Sequence, residues 1–150
     1  MSTNELNMAV VAFDGVQLLM PQTSVATIEM IENLKPGDAA PGAIGFIHAG
    51  DREWPVYALD ADLAISSQRG DNNRYCVAFD FGGKPAFALT CDAVSSLELG
   101  SVDEIEPLQA CMEMPGSPLH ALVMRDGELM LVSRVEAMRR FLGADVEEAA

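Results

Sequence analysis

The sequence predicts a mainly β protein, from three hairpin signatures and from the β-branched and aromatic residues that flank them. In "MAVVAFDGVQLLMP" Asp14–Gly15 separates two apolar runs, in "YCVAFDFGGKPAFAL" Gly82–Gly83 does so, and in "HALVMRDGELMLV" Asp126–Gly127 does so. Gly and Asp tolerate the positive φ that a tight primed turn demands, and Val, Phe and Tyr suit a pleated, half-buried surface.

Further strands lie between the hairpins. "SVATIEMI" (Ser24–Ile31) sets Ala26, Ile28 and Met30 on one parity and Val25, Thr27, Glu29 and Ile31 on the other, a fairly clean apolar face if the segment is extended, with helix as the alternative. "GAIGFIHA" and "WPVYAL" read as two more strands, with Pro55 suited to the start of the second. Asp60 is positioned to cap a one-turn helix over "DADLAI", and "DAVSSLEL" continues the third hairpin as a strand. The exception closes the chain. "SRVEAMRRFLG" starts with Ser133 and Glu136 in capping-box spacing and places Val135, Met138, Phe141 and Leu142 on one helical face. Arg139 and Arg140 complement the negative end of the helix dipole, and Gly143 terminates it.

Loops separate these units: Pro- and Gly-rich 33–42, polar 66–73, and 100–118, where Pro107, Pro115 and Pro118 obstruct regular structure. The polar stretch at Ser66 divides the chain nearly in half. Each half opens with a Gly-turn hairpin and continues into another strand, which suggests two related small barrels sharing one hydrophobic seam. Residues 1–7 and 144–150 are expected to be disordered.

Composition bounds the partners. At 150 residues and 49% hydrophobic content, the chain is sized for one domain with a filled core. Nine Lys and Arg against 23 Asp and Glu give a net charge of −14, a field that repels phosphate backbones and anionic membranes, so nucleic acid is not expected as a partner. No apolar run approaches the roughly 18 residues a membrane span needs, and "MSTNELN" lacks the features of a secretory signal, so a cytosolic location is expected. Cys76, Cys91 and Cys111 match no CxxC spacing and read as reduced thiols, the first two buried in apolar runs.

Nothing in the chain assembles into a reaction centre. His48 and His120 sit in no nucleophile-elbow, Cys–His or metal-binding pattern, and no GxGxxG or phosphate loop occurs. Asp51, Glu53, Asp60 and Asp62 fall at turn or capping positions, where solvated acids are the ordinary reading. No catalytic residue, cofactor or metal ligand is therefore assigned. His48 fits a sheet edge or a partner contact, and Trp54 fits either core filler or an interface anchor.

The order "LLMPQTSVATIEMI", "GAIGFIHAGDREWPVYAL", "RYCVAFDFGGKPAFALTCDAVSSLEL" and "LHALVMRDGELMLVSRVEAMRRFL" resembles the CheW-like domain of bacterial chemotaxis and pilus-motility signalling, from about Met8 to Leu142. Its most specific pieces are Pro21 closing a strand, Gly45 leading one that returns through Pro55–Val56–Tyr57–Ala58–Leu59, the run Asp92–Ala93–Val94, and the closing hairpin and helix. The resemblance implies one domain over residues 1–150 built from two packed, interleaved, five-stranded SH3-like barrels with a C-terminal helix. It also implies a non-enzymatic adaptor that couples a CheA-like histidine kinase to chemoreceptors or to a type IV pilus (twitching) system. The "LLMPQTSVATI" stretch looks closer to the pilus relatives. Where the family has an Asn-Leu-Arg-Gly-like turn whose arginine serves receptor and kinase coupling, this chain has His48, Ala49, Gly50 and Asp51, with Arg52 two positions beyond the arginine's place. The family's acid late in the following strand is replaced by Ala58.

The expected contact surface is thus the Gly45–Trp54 segment with the Val25–Ile31 strand, and the partner-binding residues expected are Thr27, Glu29, His48, Asp51, Arg52 and Trp54. The alternatives are a diverged domain that has lost kinase coupling and binds another protein or a small ligand, and a carboxylate- or thiol-dependent hydrolase on a β scaffold.

Overall fold

The computed structural model describes residues 6–37, 40–99, 104–107 and 117–143. Strands β1 (Leu6–Phe13) and β2 (Val16–Pro21) form the first hairpin, followed by β3 (Val25–Met30), β4 (Gly45–Ala49), β5 (Arg52–Leu59) and the two-residue β6 (Ile65–Ser66). The second hairpin is β7 (Tyr75–Phe81) and β8 (Lys84–Cys91); β9 (Ala93–Leu99) and β10 (Glu104–Pro107) precede the third, β11 (Leu119–Arg125) and β12 (Glu128–Ser133), and helix α1 (Val135–Leu142) ends the described chain. All three turns adopt the left-handed conformations their residues allow, with φ of 48° and 81° at Asp14 and Gly15, 63° and 80° at Gly82 and Gly83, and 52° and 80° at Asp126 and Gly127.

These strands make two curled sheets. One runs β10-β11-β12-β2-β1-β9 and the other β3-β7-β8-β5-β4, with β6 added on β5. The division near Ser66 is corrected by this order: the second sheet is the continuous stretch β3 to β8, and the first is made from both ends of the chain. Among the described residues the first sheet has six strands and the second has five in its main order with the two-residue β6 added. A parallel pairing joins each sheet's early and late strands, Leu131 and Val132 of β12 with Leu18 and Leu19 of β2, and Val56 and Tyr57 of β5 with Ala88 and Leu89 of β8. In the second sheet the curl is drawn together where Lys35 and Phe46 exchange backbone hydrogen bonds of 2.9 Å. A Cβ at Gly45 would run into the Lys35 carbonyl, which is why this strand opens on glycine.

The apolar runs of the hairpins are continuous because their strands are covered on both faces. Along β1, Val10 faces the first sheet's own core with Leu19, Val123 and Val132, while Val11 and Phe13 face the seam between the sheets. Along β7, Cys76 and Ala78 face the second sheet's core with Ile47 and Val56, while Val77 and Phe79 face the seam. Helix α1 covers this seam with Val135, Met138 and Leu142.

Several local expectations need correction. Residues 6 and 7 are in β1 rather than frayed, because Leu6 and Asn7 pair with Leu99 and Glu98. Residues 144–150 and Cys111 lie outside the described residues. Asp60 does not start a helix; its Oδ1 accepts the amides of Asp62 at 2.8 Å and Ala64 at 3.0 Å, a tight turn with Leu63 at φ 62° that leads into β6. Pro55 sits inside β5, just ahead of the parallel ladder that starts at Val56. No capping box forms at α1: the Ser133 hydroxyl is buried and donates to the Pro118 carbonyl at 2.6 Å, leaving Arg134 at the N-cap without a side-chain bond. Gly143 does end the helix, left-handed at φ 77°.

Candidate protein-contact surface

Segment 45–54 folds as a hairpin around Gly50 and Asp51, with Ala49 opposite Arg52 and Ile47 opposite Trp54. Alternation sorts its side chains by face. His48 and Glu53 share the outer face, Nε2 and Oε1 3.2 Å apart, and the Phe46 ring meets the imidazole edge-on. Asp51 is exposed in the turn.

On the other face, Trp54 is only 2% exposed and lies in the second sheet's core beside Ile47, Cys76 and Ala88. Its indole N–H is shared between the Phe79 carbonyl and Asp80 Oδ1, both at 3.2 Å. Trp54 is core filler, which corrects the expectation of an anchor presented to a partner: its parity points it inward and its one polar atom is satisfied there. Arg52 stacks 5.3 Å from the Trp54 ring, donates to Asp80 Oδ2 at 3.1 Å and to the Gly83 carbonyl at 2.9 Å. It ties β5 to the β7–β8 hairpin and is committed within the domain.

Strand β3 reverses the expected faces. Thr27 and Glu29 are half-buried and bonded locally, Thr27 Oγ1 donating to Glu29 Oε2 at 2.9 Å and Asn33 Nδ2 donating to Glu29 Oε1 at 3.0 Å. Ala26, Ile28 and Met30, the parity that reads as a core face, point to solvent, with Ile28 47% and Met30 52% exposed. This apolar row is what sequence reasoning missed, and alternation does not say which face turns inward. The row lies on a strand that ends its sheet's order, as β9 ends the other. Between these two edges runs a groove of about 320 Å³ lined by Ala9, Val25, Ile28, Val94 and Ser96.

A wider cleft of about 700 Å³ beyond Met30 mixes Arg69 and Arg74 with Glu32 and Asp71. Its Asn73 and Asp92 are spent on each other and on the backbone. Burial pushes both described thiols up to about 12, at Cys76 and Cys91, leaving them protonated and unreactive. His120 is lowered by burial and then by the Arg134 charge. Among the described residues no three His, Cys, Asp or Glu are grouped to hold a metal ion, and no helix is long and apolar enough to cross a membrane.

Two curled sheets on a common seam, closed by one C-terminal helix, define the class of fold. The profile of the CheW-like domain matches residues 7–141, and the chain belongs to that family, a family of non-enzymatic scaffolds. Among solved structures the chain is similar to the scaffolding protein TtCheW from Thermoanaerobacter tengcongensis, with 15% identity and a TM-score of 0.65 over 85% of this chain and 88% of that one. No curated protein matches the sequence significantly.

Proposed function

We propose that this chain is a cytoplasmic, non-enzymatic adaptor in bacterial chemosensory signalling, coupling a CheA-like histidine kinase to chemoreceptors or to a pilus-motility system. The observation that carries the reading is the apolar row Ala26, Ile28 and Met30 facing solvent on β3, the strand that ends its sheet's order, beside the groove between the sheets. Exposed apolar side chains in a row on an open edge mark a surface that another polypeptide covers. The exposed His48, Glu53 and Asp51 form a separate polar edge at the β4–β5 hairpin, and Thr27 and Glu29 lie on the half-buried face of β3.

The test is co-sedimentation with membranes that carry a chemoreceptor and its kinase. Wild-type protein joins the pellet, and Ile28→Asp with Met30→Asp lowers recruitment about tenfold or more, the loss expected when central apolar contacts are broken. Equal recruitment of the doubly substituted protein overturns this surface.

A second reading, a diverged domain that binds a protein other than the kinase–receptor pair, is favoured by one feature. The hairpin turn has no arginine, and Arg52 is held by Asp80 and Gly83. Failure to enter the complex, with the fold intact, selects this reading.

A further inference from the structure

The third hairpin leaves an apolar face open. Strands β11 and β12 are apolar at nearly every position, the pattern of strands covered on both sides, yet only one side is filled. Ala121, Val123, Met130 and Val132 close the first sheet's own core. On the other parity Leu122 pairs with Leu131 and Met124 with Leu129. Leu131 touches the seam core. Among the described residues Leu122, Met124 and Leu129 join none of the three cores, and Leu129 is 52% exposed.

We propose that this outer face of β11 and β12 docks an amphipathic segment of a partner protein, apolar where it meets the face and flanked by lysine or arginine. The apolar side follows from the four side chains it covers, since contiguous exposed apolar surface marks a place of association.

The flanks follow from the charges around the face. In the register of β10, which ends its sheet's order, Glu104 stands opposite Met124 and Glu106 opposite Leu122, and the exposed Asp126 lies in the turn beyond. The hairpin's own Arg125 shares the parity of Val123 and donates to the Glu98 carbonyl at 3.0 Å. At the opposite end the exposed His120 stands near the Arg134 charge. Three acids thus border the face against one permanent cation, Arg134. In a chain of net charge −14, this surface draws a cationic segment and steers its approach.

The same charges exclude the other occupants. A second copy in a two-fold contact sets like acids against one another. An anionic membrane is repelled by the chain as a whole. The face is also independent of the apolar row, because β3 belongs to the second sheet and pairs there with β7, whereas β11 and β12 pair with β10, β2 and each other. It stands whether or not β3 meets a kinase or a receptor.

The experiment is a methyl and amide NMR titration of the full chain with a short synthetic peptide of alternating leucine and lysine. Two relatives serve for comparison, one with serine for leucine and one with glutamate for lysine. Expected are saturable shifts centred on Leu122, Met124 and Leu129, about tenfold weaker binding of either relative, a similar loss with Leu129→Lys, and no change with Met30→Asp. Leu129 is more than half exposed, so its replacement leaves the hairpin folded, which unshifted β1 and β2 amides verify; Met124→Ser gives a second reading of the apolar contact. The proposal is overturned by shifts spread over the acidic surface or centred on β3, by equal binding of the serine or the glutamate peptide, by unchanged binding with Leu129→Lys, or by no saturable shift. Concentration-dependent shifts at Leu129 without peptide also overturn it, making a second copy the occupant.

Discussion

Asn73 donates its side-chain N–H to Asp92 Oδ1 at 2.9 Å, while Asp92 Oδ2 accepts the backbone amide of Asp14 at 3.2 Å. One carboxylate thus joins the entry to β7, the passage from β8 to β9, and the first hairpin turn. Asn73 is 8% exposed, so its amide has little recourse to water. Hydrogen bonds to a charged acceptor contribute about 1.5–3 kcal/mol each. Asp92→Ala is expected to lower unfolding free energy by about 2–4 kcal/mol in urea titration, since relaxation recovers part of the loss. Asp92 stands in the run that carries the family resemblance, and the structure gives it a clasping role between the sheets. A loss under about 0.5 kcal/mol, the range of ordinary surface changes, contradicts that role.

Trp54 yields a prediction that separates folding from binding. Truncating a buried aromatic residue costs about 3–5 kcal/mol, and here the Phe79 carbonyl and Asp80 also lose a donor. Trp54→Ala is expected to unfold at much lower denaturant concentration, and Trp54→Phe, which keeps most of the volume, to lose about 1–2 kcal/mol. Partner recruitment by the folded Trp54→Phe protein should equal that of wild type. Reduced recruitment with unchanged stability would return the ring to the interface.

What was legible in the sequence divides by range of interaction. The hairpins were legible because Asp14–Gly15, Gly82–Gly83 and Asp126–Gly127 set their own backbone conformation, and α1 because its period and Gly143 act within one helix. The allocation of strands was not, because β9 to β12 join β1 and β2 through pairings such as Val10 with Ser95 and Leu19 with Val132, far apart in the chain. At the segments expected to meet a partner, which side chains face solvent was not legible. In β3 the apolar parity looked inward, yet Thr27 and Glu29 satisfy each other and take the half-buried face. Ser133 failed as a cap because a distant carbonyl, that of Pro118, captured its hydroxyl.

The thiols give a kinetic test. Cys76 and Cys91 are fully buried and carry pKa values pushed up to about 12 by desolvation, so at pH 8 almost none is thiolate. In a Cys111→Ser protein, a disulfide reagent should label neither thiol on the timescale of free cysteine, and both on adding urea. Above the unfolded thiol's ordinary value, near 8.5, the unfolded chain sheds protons that the fold retains, so stability should fall from about pH 9 upward. Prompt native labelling of either residue would mean that its sheet opens readily.

His120 titrates in the other direction. Its position at the start of β11 buries part of the ring and sets it near the Arg134 charge, and both lower its pKa from the ordinary 6.5. The unfolded chain then binds the proton more readily, so stability rises with pH across the interval between the lowered value and 6.5, and protonation below it favours unfolding. The His120 contribution is isolated by comparison with His120→Gln, which carries every other titrating group unchanged. Unfolding free energies of the two proteins, measured from pH 7.5 down to pH 5, should diverge, wild type losing stability relative to the glutamine variant as pH falls. Parallel curves would show that the ring is as well solvated in the folded chain as in the unfolded one, and that Arg134 points away from it in solution.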